Sequence, residues 1–366
     1  LELFTDEELL SLSAEESAAV FAVSAAAAAG IEDFFNSDEW LNEDQRYVDP
    51  EAGVRDKLAT LKSTPSMFRP MTNLTSSEFE ELCQLVCPIL AATARSTGRP
   101  RGIMGRPPKL SPDQRLLHFL LYLKHDNIVL FDAHGWNWSK SSSCDDSFFV
   151  ASCIKDALSH ELRWPTASER RESSKRAPEF KGCIGFIDGT LVKIGRPARE
   201  DHRYWYNGRK AMYCFNNTVV VDHDGLFIYV DPGYPGSFHD VAILRNSSLY
   251  QNWRRSFSHS DDHIEYLLGD PGYIGEEMFI MRRVDGREIA ADGDMRVIDA
   301  FNALHAGRRV QVEWGIGGFK RKWESFFEEN DFSHGKVSDF FQVAALITNF
   351  IYQSFKDINW REGGIQ

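Results

Sequence analysis

A chain of 366 residues with 43% hydrophobic side chains can build one large core or two domains. Its formal net charge of −13 argues against a uniformly basic nucleic-acid binder, yet residues 1–62 carry 15 acidic and four basic side chains, so the remainder stands at only −2. Six scattered cysteines with no C-x-x-C pair argue against zinc and against a disulfide framework, and favour a reducing compartment. The Ala-rich run from Ala18 to Ile31 lacks a basic flank and is too short and weakly apolar to span a bilayer, so no membrane partner is expected. The chain opens on Leu1, which leaves room for residues upstream.

Residues 1–62 read as an acidic, solvated tail, with a partner-binding segment as the sharper alternative. Over 71–95, Asn73 or Thr75 can cap a helix carrying Phe79, Leu82, Leu85, Val86 and Leu90, which Pro88 should kink or stop. Arg95 to Lys109 contains Gly-Arg-Pro twice. Such segments serve as basic linkers or lie in the narrow minor groove of A·T-rich DNA. Ser111-Pro-Asp-Gln114 predicts a helix start with a reciprocal cap, and a second helix is expected over about 145–162. The region 63–165 is therefore a helical domain, either helix-turn-helix-like or purely a packing unit. Residues 166–182 are basic and read as a linker.

From 183 the pattern changes to strands. Cys183–Ile187 predicts a buried strand ending at Asp188-Gly189. Met212–Asp222 and Leu226–Val230 predict a hairpin turning at His223-Asp-Gly225. Ser237 caps an expected helix from Phe238 to Leu249, and Ile264–Gly269 predicts a fourth strand ending at Asp270. Three antiparallel strands, a helical crossover and a strand parallel to the first form the ribonuclease-H-like order. The fold class is thus α/β, a ribonuclease-H-like mixed sheet with flanking helices behind an all-helical N-terminal region, with the sheet domain over 183–358. Residues 271–305 read as irregular with short helices. A helix is expected from Arg308 to Phe327 and another near 335–355.

In that topology Asp188 and Asp270 end neighbouring parallel strands, and Glu313 stands at the start of a helix beside the sheet edge. Taken singly, each acid has a structural reading: a turn former for the aspartates, a first-turn helix acid for Glu313. Taken together, three carboxylates can hold two divalent ions, which stabilise the attacking and leaving oxygens of phosphodiester cleavage. Arg308, Arg309, Lys320, Arg321 and Lys322 surround Glu313 and suit phosphate contacts or a solvated helix face. Arg196, Arg199, Arg203, Arg209 and Lys210 form a second basic stretch near the first acid.

Residues 183–356 resemble the PIF/Harbinger group of DDE transposases and endonucleases. The resemblance is carried by Phe186-Ile-Asp-Gly-Thr190, Pro235-Gly-Ser-Phe-His-Asp240, Gly269-Asp-Pro-Gly-Tyr273, Val312-Glu-Trp-Gly315 with Phe319-Lys-Arg-Lys-Trp323, and Thr348-Asn-Phe350. Pro271 stands where the group more often has Ser. The resemblance implies a ribonuclease-H-like nuclease with Asp188, Asp270 and Glu313 as catalytic and metal-holding acids and Mg²⁺ or Mn²⁺ as cofactor. Asp240 rivals Asp270 for the second place, and with His239 would otherwise orient the site. The resemblance further implies cleavage of double-stranded DNA at transposon ends and joining of the 3′ hydroxyl to an A·T-rich target. It also implies a Myb-like accessory protein, a homo-oligomer and action in the nucleus. A domesticated DNA- or protein-binding module is the alternative.

Overall fold

In the computed structural model, the described residues are 58–92 except 60, 110–125, and 140–361 apart from 199–201, 261–262, 274, 277–278, 285–294 and 329–333. Most of the acidic head, the Gly-Arg-Pro segment and the stretch 126–139 lie outside them, the last interrupting the proposed helix-turn-helix-like unit.

Pro65–Thr72 (α1) and Ser76–Ala92 (α2) open the helical region. Thr75 and Glu78 cap α2 reciprocally: the Thr75 amide donates to the Glu78 carboxylate at 2.6 Å, and the Glu78 amide to the Thr75 hydroxyl at 3.2 Å. Pro88 lies inside α2 and does not end it. Pro112–His125 (α3) begins as expected, with the Ser111 amide donating to Gln114 Oε1 at 3.0 Å. Lys140–Ala157 (α4) packs on α3 through a fully buried ion pair, Arg115 Nη2 to Asp146 Oδ1 at 2.7 Å with Arg115 Nε 2.9 Å from Oδ2. The stretch expected as a linker instead carries Ala167–Ser173 (α5), started by a Thr166–Glu169 capping box. It is fastened to the sheet by buried Arg170, whose Nε donates to Glu265 at 2.7 Å.

The sheet follows. Its strands are Cys183–Lys193 (β1), Tyr206–Asn207 (β2), Met212–Val221 (β3), Phe227–Pro235 (β4), Tyr266–Gly269 (β7) and Ile280–Arg282 (β8). His259–Ser260 (β5) and His263–Ile264 (β6) form a separate small hairpin. The helices beyond β1 are His202–Trp205 (α6), Asp240–Asn246 (α7), Ser248–Gln251 (α8), Trp253–Ser256 (α9), Met295–Lys322 (α10), Glu324–Phe327 (α11) and His334–Arg361 (α12). Strand β3 pairs antiparallel with β1 and with β4, while β7 and β8 run parallel to β1. Helices α7–α9 make the crossover from β4 to β7. The mixed α/β sheet with flanking helices is therefore present, and β8 extends it through a region read from sequence as irregular.

Both faces are covered. Ile184, Ile187, Val220, Leu267 and Ile280 pack against Leu244, Leu249 and Phe257 of the crossover. On the other face Phe227 meets Phe319 of α10 at 4.8 Å, and Phe319 meets Phe341 of α12 at 5.4 Å. Helix α12 also carries Phe340, which contacts Phe119, Tyr122 and Phe148, so the helical region and the sheet share one core. Asn349 protects the free edge of β4: its amide accepts from Phe227 N at 3.0 Å and donates to Phe227 O at 2.8 Å. The β3–β4 turn needs Gly225, at φ +82°, and packs on α10 against Gly315.

Removing one partner of the Arg115–Asp146 pair strands a charge between α3 and α4. Asp146→Ala should lower the unfolding free energy by about 3–5 kcal/mol in urea melts, and the double change Arg115→Met with Asp146→Leu should recover most of it.

Candidate active site

Strand β1 does not stop at Ile187 but runs on to Lys193, so Asp188 lies within the strand. Its antiparallel neighbour β3 continues beside it, with Asp188 opposite Val219. The parallel neighbour does not: pairing with β7 ends at Phe186 opposite Leu268. One step beyond that pair lies Gly269, and the next is Asp270. The register therefore brings Asp188 and Asp270 level at the carboxyl end of β7. Alternation along β1 puts Asp188 on the same face as Phe186, toward α10, and Ile187 on the opposite face.

Asp188 Oδ1 accepts from the Gly189 amide at 2.9 Å, and Oδ2 accepts from Arg309 Nη2 at 2.9 Å. Both side chains of this ion pair are mostly buried. Burial lifts the Asp188 carboxyl to about 6. Arg309 and the Gly189 amide pull it down, and the Asp270 and Asp240 charges add to the rise. Asp270 is held by a turn bond, with the Gly272 amide donating to Oδ1 at 2.9 Å.

Asp240 is the first residue of α7, and His239 before it, not Ser237, occupies the N-cap position without a side-chain cap bond. The Asp240 carboxylate accepts from Asn216 Nδ2 at 2.8 Å. Burial raises its pKa, and the Asp270 charge adds to the rise while Asn216, Arg209 and His239 oppose it. A Cβ on Gly189 would stand 2.5 Å from Asp240 Oδ1, so the bare glycine makes the room that Asp240 fills. His239 is exposed.

Glu313 stands differently from its expectation. Helix α10 begins at Met295, so Glu313 is in its middle and gains nothing from the helix N-terminus. It is exposed. The α10 side chains that reach Asp188 are Arg309, one turn earlier, and Lys320, two turns later, whose lowered pKa reflects burial opposed by the Asp188 charge and reinforced by Lys210. Helical spacing places Glu313 on the face they share. Among the described residues no group of three or more His, Cys, Asp or Glu forms a preassembled cation cage. The structure thus brings Asp188, Asp240 and Asp270 within electrostatic reach of one another, with Glu313 alongside and not joined to them.

The five predicted phosphate contacts divide. Arg308 pairs with Glu179 and Arg309 with Asp188. Lys320 lies over the Phe327 ring at 5.7 Å. Arg321 and Lys322 are exposed at the end of α10. Sequence reasoning gave no role to Tyr273, which is fully buried within electrostatic reach of the three aspartates. Among the described residues its hydroxyl has no hydrogen-bond partner, and burial followed by the charges of Asp240, Asp188 and Asp270 raises its pKa far above the ordinary value. The only signal for it was its place in Gly269-Asp-Pro-Gly-Tyr273.

Two aspartates level on parallel strands, a third on the crossover helix and a cation from a long flanking helix suit phosphodiester chemistry. Residues 187–349 match the DDE superfamily endonuclease family. That match supports a likeness to the Harbinger-type DDE nucleases. It is 25% identical over 223 residues to Protein ALP1-like of Arabidopsis thaliana, covering 57% of this chain and 53% of that one. It is 28% identical over 192 residues to HARBI1 of Rattus norvegicus and of Homo sapiens, whose name gives it as a proposed nuclease, covering 50% of each chain. The chain thus spans about half the length of the curated relatives it matches. No solved structure matches it.

Because its folded pKa of about 6 stands above the ordinary 3.8, Asp188 contributes stability at low pH that is lost as pH rises from 3.8 through about 6. In the metal-free chain, carboxyl-detected NMR should find its midpoint near 6. Arg309→Gln should move that midpoint higher still, and an unchanged midpoint would remove the ion pair from the account.

Proposed function

We propose that this chain is a divalent-metal-dependent DNA endonuclease of the transposase type, with Asp188 and Asp270 as its principal acids. The observation that carries the reading is their level placement where β1 outruns β7. It is supported by a strand order of ribonuclease-H-like form: an antiparallel three-strand meander, a helical crossover, then two strands parallel to the first. The match to a nuclease family supports nucleic acid as the substrate.

The donor set fits a hard cation. Magnesium takes one or two carboxylates and keeps water and phosphate in its other positions, so Asp188 and Asp270 suffice without a full protein cage. Asp240 is the nearest further acid, and Glu313 is available on the α10 face. A bound Mg²⁺ or Mn²⁺ would activate water and stabilise charge on the attacking and leaving oxygens. Arg309, now paired with Asp188, carries the positive charge that a phosphate would meet there. Asn216 holds Asp240 through its side-chain amide, and Tyr273 fills buried space within reach of the aspartates' charges. Water attacks phosphorus and the P–O3′ bond breaks, leaving a 3′ hydroxyl and a 5′ phosphate. In transposition that hydroxyl then attacks a target phosphodiester. By analogy with the group, the substrates are transposon ends and an A·T-rich target, the site of action is the nucleus, and a Myb-like partner and self-assembly complete the system.

The second reading is a domesticated binding module. Arg309 on Asp188 and an exposed, unjoined Glu313 favour it, because both are compatible with a site that has ceased to turn over.

A nicking assay on terminal-repeat DNA with Mg²⁺ or Mn²⁺ separates the two. Asp188→Asn and Asp270→Asn should each reduce cleavage by at least about 100-fold, the upper range for losses at partners one shell further out. Asp240→Asn should cost less, about 10-fold. Wild-type inertness with its DNA-binding partner present would leave the binding module.

A further inference from the structure

The run Arg203-Tyr-Trp-Tyr-Asn-Gly-Arg-Lys210 has no role in the acid site, yet it lies beside it. Trp205 turns inward and packs edge-on against Phe215 at 4.7 Å. The tyrosines on either side of it face outward: Tyr204 is 61% exposed and Tyr206 41%. Phe238, from the loop before α7, is 38% exposed. Exposed rings of this size are costly in water, and here they are held on stiff supports. The Ser237 amide donates to Tyr204 O at 3.1 Å, and Asn207 Nδ2 to Gly236 O at 2.8 Å. Asn216 Nδ2 donates both to Phe238 O at 3.1 Å and to Asp240 at 2.8 Å. One amide thus fixes Phe238 and the acid site together. A Cβ on Gly236 would stand 2.6 Å from Cys214 O and 2.7 Å from Trp205 O, so the two segments meet backbone to backbone.

The charge around the rings has one sign. Arg203, Arg209 and Lys210 are exposed, and no Asp or Glu occurs from His202 to Val221 or from Gly233 to His239. Arg209 is near enough to lower the Asp240 pKa, and Lys210 to lower that of Lys320.

We propose that Tyr204, Tyr206 and Phe238, with Arg203, Arg209 and Lys210, bind unpaired bases of the DNA strand being processed, stacking them beside the aspartates. The inference rests on the endonuclease reading and adds its substrate form: a duplex whose end is splayed. Aromatic faces stack any base, and the cations track the backbone that leads to it. A protein partner is the less favoured occupant, because an acid-free aromatic rim suits phosphates and base faces together.

The test needs no cleavage. The full chain in EDTA is titrated, by fluorescence anisotropy, with a blunt duplex and with the same duplex carrying a few unpaired nucleotides at one end. Wild type should bind the splayed end about tenfold more tightly, on the scale of one stacked base. Tyr204→Ala with Phe238→Ala should abolish that preference and leave blunt-duplex affinity unchanged. Tyr204→Phe, which keeps the ring, should retain the preference. Arg209→Ala with Lys210→Ala should weaken both substrates and flatten the salt dependence. Equal binding of the two duplexes by a wild-type chain that nicks DNA with Mn²⁺ overturns this inference alone. Absence of DNA binding and of nicking overturns the endonuclease reading with it. Loss of a protein ligand, with DNA preference intact in the Tyr204/Phe238 variant, overturns the base-stacking assignment.

Discussion

Strand β1 outruns its parallel neighbour β7, and the site depends on that difference in length. Over Cys183–Phe186 the two strands pair, and both faces are sealed by apolar side chains. Beyond Phe186, β1 keeps only β3 beside it, so Asp188 meets the open end of β7 instead of another backbone. Asp270 arrives at that opening because it follows Gly269 at once. Gly269 can pass there because it has no side chain: a Cβ would stand 2.6 Å from Ile280 Cγ2 and 3.1 Å from Ile187 Cγ2. The same strand geometry therefore supplies a rigid apolar floor and a polar lip one residue apart.

Burying carboxylates at that lip carries a desolvation cost, to which their mutual repulsion adds, visible as the raised pKa values of Asp188 and Asp240. The chain offsets part of it with Arg309 on Asp188 and Asn216 on Asp240. Both partners come from elements anchored elsewhere. Asn216 lies on the central strand β3. Arg309 lies on α10, which is pinned to the sheet by Phe319 against Phe227 and by the turn at Gly225 against Gly315. Phe238 is tied to the same amide of Asn216, so its position and that of Asp240 are mechanically linked.

Much of the fold was legible because its signals are local. The β3–β4 hairpin was marked by Asp-Gly between Val-rich runs, α2 and α3 by capping residues, and the crossover by the break at Pro235-Gly236. The limits of β1 were misread because Asp188-Gly189 looks like a turn, whereas pairing with β3 carries the chain through it to Lys193. Helix α10 was started too late for a comparable reason. Its first turns are largely apolar yet solvent-facing, with Met295, Val297 and Leu304 exposed, so they show no one-sided stripe, and the stripe of Val312, Ile316 and Phe319 begins only where the helix meets the sheet. Residues 166–182 looked like a linker because the arginine that anchors them, Arg170, is paired with Glu265, far away in sequence.

By itself the sequence determined which aspartates follow the apolar strand cores, the order of β1, β3, β4, crossover and β7, and the likeness to DDE endonucleases, since these depend on side-chain identity and on neighbours a few positions apart. Only the tertiary structure decided that Asp188 and Asp270 stand level, that Asp240 occupies the space Gly189 leaves, that Arg309 rather than Glu313 contacts Asp188, and that the backbone of Tyr204 meets the loop carrying Phe238. Those facts follow from strand register and helix rotation. A shift of one residue in either would turn each of these side chains to another face, and nothing local in the chain records that choice.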